Sequence, residues 1–349
     1  MKQPIREISQ NDLKQWLRNN GQQPFRAKQI QEWLTKGLAT SFDEMLNLPK
    51  ALRELLAEHF LPCAVTPVKT LRAEDRTVKW LSELADGATV ETVLIRTPTR
   101  STVCISTQVG CAVRCAFCES GRQGFTRNLT ATEIFDQVIL ACHECGKVVD
   151  NVVVMGTGEP MLNLDNLLPA LDRLCDAEQG LGMGARHITV STSGIPAGIR
   201  RLADQERPWN LAISLHAPND ELRSHIIPKR HRHPIEELMN ACTYYRRQTG
   251  RMVTFEYVLV SGLNDTPANA RDLSVLARVA RAKVNLIPCN PGKSKLLKAP
   301  DNDTCAQFLA ILEQRGVQAT LRRRKGDHIQ AACGQLRATA TPPAEQGLE

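Results

Sequence analysis

The sequence predicts an α/β protein with a parallel sheet at its core and a small helical region before it. Two observations predict this fold. The first 60 or so residues carry short amphipathic helical patterns, and from about residue 90 onward strand and helix patterns alternate six or more times. Such alternation is typical of parallel α/β architectures. A chain of 349 residues is long enough for one large core with a smaller attachment.

The N-terminal helical patterns have recognisable ends. The segment SQNDLKQWLRNNG begins with a capping signal at Ser9 and stops at Gly21, and PFRAKQIQEWLTKG runs from Pro24 to Gly37. The segment SFDEMLNLPKALRELLAEHF continues the same periodicity. We therefore expect a helical accessory region at the start of the chain.

A change of texture follows these helices. The stretch RTVKWLSELADGATVETVLIRTPTRSTVCIST is rich in β-branched residues and is broken by Asp86-Gly87, which predicts a hairpin leading into a larger sheet. We divide the chain accordingly into an accessory region of helices and a short hairpin (1–89), a core (90–337) and a polar, flexible tail (338–349).

The core carries seven strand patterns with helical patterns between most of them. The predicted strands are TVCIST, NVVVMG, HITVST, NLAISL, MVTFEYVLV, KVNLIP and VQATLRR. The predicted helices include TATEIFDQVILACHE, LDNLLPALDRLC, IEELMNACTYYRRQ and ANARDLSVLARVA. Sites in parallel α/β folds lie at the C-terminal ends of strands, so a site is expected just after TVCIST.

The composition favours a soluble globular protein and argues against a membrane protein. Apolar residues make up 42% of the chain, and no apolar run approaches the roughly 18–20 residues of a membrane span. The charged N-terminal segment lacks a signal-peptide stretch, so we expect a cytoplasmic protein. In that reducing compartment the 12 cysteines should be mostly thiols. The net charge of +7 suits a polyanionic partner such as RNA but does not identify one.

Three of the cysteines lie within eight residues, in the segment VGCAVRCAFCESG. Cys111, Cys115 and Cys118 are too few to close a structural zinc site, although Cys142 and Cys145 could complete one. Three cysteines can instead hold a [4Fe–4S] cluster and leave one iron with open coordination positions. Such an iron can bind a substrate's amine and carboxylate. Both interpretations are open at this point.

The spacing C-x-x-x-C-x-x-C, with an aromatic residue before the last cysteine, is the signature of the radical S-adenosylmethionine (SAM) superfamily. The resemblance extends further, because several blocks resemble the RlmN family of RNA methyltransferases, which methylate adenine at C2. The C8-methylating Cfr enzymes are close relatives. These blocks are CISTQVGCAVRCAFCESGRQGFTRNLTATEI, NVVVMGTGEPMLNLDNLLPAL, HITVSTSG, NLAISLHAPNDELR, KVNLIPCNP and GDHIQAACGQL. PFRAKQIQEWL is similar to that family's small helical domain.

The resemblance implies a partial (β/α)6 radical SAM barrel and two cofactors, a [4Fe–4S] cluster and SAM. It implies that Cys111, Cys115 and Cys118 ligate the cluster. The residues that it implies for SAM binding are Gly158, Glu159, Ser191, Ser214, Leu215, His216 and Asn290.

The resemblance also implies three catalytic residues. Cys333 would be methylated by one SAM, and a radical made from a second SAM would activate that methyl group for addition to the adenine. Glu91 would accept the ring proton, and Cys104 would release the product by forming a disulfide with Cys333. Taken alone, the two cysteines are more typical of buried core thiols, and Glu91 of a solvated strand residue.

The implied substrate is adenine in 23S ribosomal RNA, and possible further substrates include transfer RNA. The implied partner is a reductase or flavodoxin-type electron donor, and we expect a monomer. Candidate phosphate contacts are the basic runs Lys229 to His233 and Arg322 to Lys325, with Arg26 and Lys28. The alternatives are C8 methylation by the same machinery and a zinc-stabilised RNA-binding protein without catalysis.

Some segments differ from the family pattern. CESG stands where CSTG or CATG is usual, IIPKRHRHPI replaces a segment with P-I-N, and Cys289 replaces a large aromatic residue. GTGEP is similar to the C2 enzymes, since the C8 enzymes tend to have GEA. These differences leave the radical machinery intact and concern the choice of substrate.

Overall fold

The computed structural model describes residues 2–122, 124–290, 297–322 and residue 336. Its helices are α1 (Gln10–Asn19), α2 (Arg26–Thr35), α3 (Lys50–His59), α4 (Glu119–Arg122), α5 (Ala131–Cys145), α6 (Leu164–Cys175), α7 (Pro196–Ala203), α8 (Asp220–Ile226), α9 (Ile235–Thr249), α10 (Pro267–Ala280) and α11 (Asn302–Gln314). The tail at 338–349 and Cys333 lie outside the described residues.

The strands follow the same chain order. They are β1 (Gln3–Pro4), β2 (Phe60–Leu61), β3 (Thr66–Arg72), β4 (Val78–Glu83), β5 (Thr89–Thr97), β6 (Arg100–Cys104), β7 (Gln108–Gly110), β8 (Phe125–Asn128), β9 (Asn151–Val154), β10 (Ile188–Thr192), β11 (Asn210–Ser214), β12 (Thr254–Leu259), β13 (Lys283–Pro288) and β14 (Ala319–Leu321). Each of the seven predicted core strands overlaps one of these.

One large sheet organises the molecule. Its ten strands lie in the order β14-β13-β12-β11-β10-β9-β6-β5-β4-β3. From β6 to β14 all neighbours are parallel, whereas β3, β4, β5 and β6 pair antiparallel. Helices on the outer side connect the parallel strands, as βαβ crossovers require. The predicted α/β fold with a partial barrel is confirmed.

Local sequence signals explain where the helices begin and end. Helix α5 starts with a capping box, in which the Thr130 hydroxyl accepts the Glu133 N–H at 3.2 Å and the Glu133 carboxylate accepts the Thr130 N–H at 2.8 Å. It ends at Gly146, whose φ of 65° is readily adopted by glycine. The predicted Ser9 cap of α1 is also present, accepting the Asp12 N–H at 3.1 Å.

The N-terminal helices pack around an apolar core of their own. Leu17, Ile30, Leu52 and Leu56 are fully buried in it. The predicted hairpin at Asp86-Gly87 joins β4 to β5, but these strands continue the large sheet. The large sheet therefore begins at Thr66, within the predicted accessory region 1–89. The division of the chain into domains at residue 89 stays a prediction.

A buried ion pair joins the helical region to the barrel. Arg6 lies 3.2 Å from Asp136 of α5, and both side chains are inaccessible to solvent. The Arg6 guanidinium also donates to the carbonyls of Leu34, Ala39 and Pro62. A buried charge is tolerated only when it is paired and hydrogen-bonded in this way, so the contact fixes the two regions to each other.

Among the residues described, no helix is both long enough and apolar enough to span a membrane.

Candidate active site

A cavity opens at the C-terminal ends of the parallel strands, where the sequence predicts a site. We call it the cysteine cavity. Of the predicted site residues, those that line it are Cys111, Cys115, Cys118, Gly158, Glu159, Ser191, Ser214, His216 and Asn290. Leu215, Glu91 and Cys104 do not line it: the Leu215 side chain belongs to the main apolar core.

Backbone hydrogen bonds hold the cysteine loop across the mouth of the barrel. The N–H of Cys111 donates to Gly124 at 2.8 Å, that of Ala116 to Ile226 at 3.0 Å, and that of Cys118 to Cys115 at 3.1 Å. The chain reverses at Arg114, which has a φ of 61°. This reversal lets three cysteines of one short loop line the same cavity.

The electrostatics of this loop suit a positively charged group. Burial, with repulsion from the neighbouring Cys118 and Glu159, raises the pKa of the Cys111 thiol to about 11. The same causes, with Cys111 as a further neighbour, raise the pKa of Cys115 well above its ordinary value. Iron ions among the three sulfurs would offset both effects, because a coordinating thiol is deprotonated by its metal. The donor set therefore fits an iron–sulfur cluster.

The cysteines do not form a site for a single ion. Within the described part of the chain, no group of three His, Cys, Asp or Glu side chains converges on one point that could hold a metal ion. In a [4Fe–4S] cluster each cysteine binds a different iron, so convergence is not required. Cys142 is fully buried in the main core near the end of α5 and Cys145 packs against that core, so neither lines the cysteine cavity.

The GTGEP loop approaches the chain after β6 too closely for any side chain. A Cβ at Gly156 would lie 2.6 Å from the Ser106 hydroxyl, and one at Gly158 would lie 2.8 Å from the Gln108 backbone nitrogen. Gly158 also has a φ of 117°, which L-residues rarely adopt. Both glycines are therefore required by the geometry of the cavity wall.

Glu159 is a buried carboxylate that braces this wall. It accepts the backbone N–H of Ser193 at 2.7 Å and that of Met161 at 3.0 Å. Burial raises its pKa, and these hydrogen bonds act in the opposite direction. Glu159 also lines the cysteine cavity, where a buried carboxylate can pair with a ligand's ammonium group.

His216 supports the cysteine loop as a neutral imidazole. Burial, helped by the positive charge of Arg223, lowers its pKa to about 3. Its Nδ1 accepts the backbone N–H of Val258 at 3.1 Å, which leaves the proton on Nε2. Its ring meets Phe117, the aromatic residue of the cysteine motif, edge to face at 4.8 Å. His216 thus contacts the cysteine loop and lines the cavity at once.

A second group of predicted residues lies on the same inner face of the sheet, beside the cavity. Val93 of β5 and Cys104 of β6 are directly opposite each other and pack with Leu336 and Met155. Met155 also lines the cysteine cavity. We call this surface, together with Glu91 and Lys79, the Cys104 face.

Glu91 is not the solvated residue that its sequence context alone suggests. It is 3% exposed, and its Oε1 lies 2.6 Å from the ammonium of Lys79 on β4. The ion pair offsets the cost of burying both charges. A carboxylate is thereby held close to Cys104 by strand pairing alone.

Leu336 connects the two parts of the site. Its carbonyl accepts the Ser120 hydroxyl at 2.7 Å, and the Ser120 hydroxyl in turn accepts that of Thr157, in the GTGEP loop, at 3.3 Å. Its side chain is 4% exposed in the cluster with Cys104. Cys333 lies outside the described residues.

Comparison with known proteins matches this arrangement to a family. A family model of the radical SAM superfamily matches residues 105–273, and one of the ribosomal RNA large subunit methyltransferase N-terminal domain matches residues 4–61. A probable dual-specificity RNA methyltransferase RlmN of Rhodopirellula baltica is 47% identical over 94% of this chain and 89% of its own length. The chain belongs to the RlmN family.

Other relatives agree with this assignment. A probable RlmN of Staphylococcus epidermidis is 44% identical over 97% of this chain and 93% of its own length. The crystal structure of a radical SAM methyltransferase from Sphaerobacter thermophilus is 44% identical and superposes with a TM-score of 0.89, covering 97% of this chain and all of the other. The protein is thus a radical SAM RNA methyltransferase that uses a [4Fe–4S] cluster and SAM.

Sequence reasoning missed two residues that the structure adds to this RlmN-family site. Lys79 lies in a predicted hairpin strand, distant from every motif. Only strand pairing brings it to Glu91. Glu256 lies in the strand MVTFEYVLV and lines the cysteine cavity. A charged residue in an otherwise apolar strand was the signal that could have found it.

Proposed function

We propose that the protein methylates C2 of adenine in 23S ribosomal RNA, and of transfer RNA as well, through a methyl group carried by Cys333. Family membership supports RNA methylation, and the GTGEP segment, which is similar to the C2 enzymes, favours C2 over C8. The observation that carries the proposal of a methyl group held on a cysteine is the Cys104 face. The buried carboxylate of Glu91 and the thiol of Cys104 lie there, beside the cysteine cavity. Cys104 packs against Leu336, which follows Cys333 by three residues in the sequence. A ribosomal RNA substrate would place the reaction in the cytoplasm.

Cys111, Cys115 and Cys118 would hold the cluster, leaving one iron without a protein ligand. Bound there with SAM and reduced by an external electron donor, of the reductase or flavodoxin type, the cluster would supply the radical chemistry that an unreactive aromatic C–H requires. Gly158 and Glu159 would bind the methionine end of SAM. The rest of its site would be formed by Ser191, Ser214, His216 and Asn290, with Leu215 contributing only through its backbone because its side chain lies in the apolar core.

Cys333 would receive the methyl group by direct displacement. Its thiolate forms a bond to the methyl carbon of SAM, the bond from that carbon to the sulfonium breaks, and S-adenosylhomocysteine leaves. Adenine C2 is not nucleophilic enough for the same displacement. This step therefore needs a cysteine thiolate, and the second SAM serves only to activate the carried methyl group.

Glu91 and Cys104 would act in the release of the product. Glu91 accepts the proton that leaves C2 once the new carbon–carbon bond is formed. The unpaired electron left on the ring when the carried radical carbon adds to C2 would return to the oxidised cluster. The Cys104 thiolate attacks the Cys333 sulfur, so that a disulfide forms and the carbon–sulfur bond breaks. Its electron pair stays on the carbon attached to C2, which takes up a proton to become the methyl group of the product. A thiol reductant must return the disulfide to two thiols before the next turnover.

The RNA would be held by exposed basic groups. Arg26 stacks on the ring of Phe25 at 5.0 Å, Phe25 is 57% exposed, and Lys28 is exposed on the same helix. Lys229 and Arg230 lie in a short exposed turn after α8. The residues from Arg323 to Lys325 lie outside the described part of the chain. Such contacts predict binding that weakens steeply with salt.

Two cysteine variants test the proposal. We expect Cys333→Ala to lose methyl transfer from labelled SAM to RNA while it keeps about four irons and four sulfides per chain. We expect Cys104→Ala to accumulate RNA linked covalently through Cys333, detected by gel shift and peptide mass spectrometry. Cys175→Ala on α6, outside the cavity, is the matched control and should turn over normally.

Each variant can contradict the scheme. Methylated RNA from Cys333→Ala would exclude a methyl group carried on Cys333. Normal turnover by Cys104→Ala would exclude the disulfide step. A chain that binds one zinc and contains no sulfide after anaerobic purification would contradict the enzyme altogether.

A further inference from the structure

Glu256 is a buried carboxylate on the wall of the cysteine cavity to which the proposed chemistry gives no role. It lies on β12, is 7% exposed and lines the cavity together with residues of the cysteine loop. Burial raises its pKa, and the hydrogen bond from Asn285 and the positive charge of Arg322 act in the opposite direction. A carboxylate buried at a cavity wall is costly, and such groups are concentrated at functional sites.

Polar residues cross the inner face of the barrel in a row at the level of Glu256. Strand register places Ser214 beside Glu256, Glu256 beside Asn285, and Asn285 beside Thr320. Arg322, two residues beyond Thr320, lines the same cavity. The interior of a parallel barrel is usually filled with branched apolar side chains, so this polar row interrupts the expected packing.

Hydrogen bonds along this row fix the orientation of Glu256. The Thr320 hydroxyl donates to Oδ1 of Asn285 at 3.1 Å, and Nδ2 of Asn285 donates to Oε2 of Glu256 at 2.7 Å. Because Asn285 has its oxygen and nitrogen engaged on opposite sides, its amide cannot flip without losing both bonds. The Glu256 carboxylate is therefore held as an acceptor at a defined position in the cavity.

The position of Glu256 along its strand places it away from the cysteines. Val258 and Cys289 pack with Phe117 of the cysteine loop at the mouth of the barrel. Glu256 precedes Val258 by two residues, about 7 Å at the rise of a strand, and so lies deeper in the barrel. The wall above Glu256 is apolar, because Val258 and its strand neighbour Ile287 also line the cavity.

We propose that Glu256, clamped by Asn285, accepts hydrogen bonds from the ribose hydroxyls of SAM and so determines recognition of its adenosine part. SAM is an elongated molecule. With its amino acid end at the cysteines, its adenosine part reaches the deep end of the cavity. Valine and isoleucine suit the faces of an adenine, and a carboxylate is the acceptor that proteins use for ribose hydroxyls. The target base would instead approach Cys104 and Glu91, which do not line this cavity.

The inference rests on SAM as the ligand and not on which adenine carbon is methylated. Binding measured without turnover therefore tests it separately from the proposed function. The probes are SAM and adenosine, in equilibrium dialysis against the reconstituted protein with its cluster. The variants are Glu256→Gln, which removes the charge at nearly constant volume, and Asn285→Ala, which releases the clamp. Glu313→Gln on the exposed side of α11 is the control.

Glu256→Gln should weaken binding of SAM and adenosine by the same factor, about 10- to 100-fold, as for loss of a hydrogen bond to a charged acceptor. Asn285→Ala should weaken both by a smaller common factor, and Glu313→Gln should change neither. If Glu256→Gln loses iron and sulfide during purification, the SAM and adenosine affinities of Asn285→Ala test the proposal instead.

Two results would overturn the assignment. Unchanged SAM affinity, with or without a raised KM for RNA, would mean that Glu256 does not contact SAM. Weaker SAM binding with unchanged adenosine binding would mean that Glu256 acts on another part of the ligand or through the fold.

Discussion

The cysteine cavity and the Cys104 face lie side by side on one sheet, yet they are built in different ways. The cavity is an open space whose walls are loops held by backbone hydrogen bonds, such as those to Glu159 and His216. The Cys104 face is closely packed, with Cys104 beneath Leu336 and the charge of Glu91 paired with Lys79. The first suits a small cofactor, and the second keeps Cys104 and Glu91 away from solvent.

This difference separates residues that are positioned by short sequence motifs from residues that are positioned by pairing between strands. The cysteines, the GTGEP loop and His216 lie in or beside short motifs at the ends of strands, so local sequence determines their positions in the cavity. On the Cys104 face, residues from β4, β5 and β6 meet only because these strands pair in one register. A substitution there should affect stability and product release, whereas one in the cavity should affect SAM binding.

The largest expected effect is that of Lys79→Met. Breaking a buried ion pair leaves the Glu91 charge without its partner, and we expect a loss of about 3–5 kcal/mol in the free energy of unfolding. The double variant Lys79→Met/Glu91→Gln should recover most of this loss but not RNA methylation. Urea unfolding and methyl transfer measured on the same samples test both statements. A single variant as stable as the parent would show that the pair contributes little.

A smaller effect concerns pH and the cavity. The pKa of His216 is lowered to about 3, so the folded chain binds fewer protons than the unfolded chain between pH 3 and 6.5. The resulting stability is complete above pH 6.5 and declines as the pH falls, by about 2 kcal/mol between pH 6.5 and pH 5. His216→Asn removes the titrating group and suits the φ of 58°. Its stability should decline less over this range, and a parallel decline in both proteins would contradict the assignment.

The link between the two regions should have an effect of about 1 kcal/mol. Ser120→Ala removes the hydrogen bond to the Leu336 carbonyl, and Ser120→Thr keeps a hydroxyl there. In titrations with reduced and oxidised glutathione, we expect the effective concentration for a Cys104–Cys333 disulfide to fall roughly fivefold in the alanine variant. The threonine variant should behave as the parent. Equal values in all three proteins would mean that Ser120 does not position this segment.

The smallest effect should come from the basic surface of α2. Arg26→Gln and Lys28→Gln should each weaken RNA binding modestly and lower the slope of log affinity against log salt by about one contact. Lys69→Gln on the exposed strand β3 serves as the control. An unchanged slope would place the RNA elsewhere, whereas SAM binding should be unaffected in all three variants.

Much of the fold could be predicted because its signals are local. Strand and helix alternation indicated the parallel sheet, and capping residues such as Ser9 and Thr130 mark helix starts. The sheet's extension through β3, β4 and β5 was only partly predicted, since a hairpin pattern does not say which strand it will join. Pairing between distant segments is a property of the whole chain and leaves little trace in any one segment.

The same distinction holds for the site. Cys111, Cys115 and Cys118 share one loop, so their spacing alone predicts that they act together. Lys79 could not be assigned from the sequence. Glu256 could be singled out as a charge in an otherwise apolar strand but not given a role, because such a charge indicates a solvated edge as readily as a buried group. Their roles depend on the register of β4 with β5 and of β12 with β13.

The most direct test of the account is the identity of the methylated nucleoside. Reconstituted protein, bulk RNA, methyl-labelled SAM and an electron donor are combined without oxygen, and the RNA is digested and analysed by mass spectrometry against synthetic standards. The parent protein should give labelled 2-methyladenosine, and Cys333→Ala should give none. Labelled 8-methyladenosine would contradict the C2 assignment, and label in RNA from Cys333→Ala would contradict the carried methyl group.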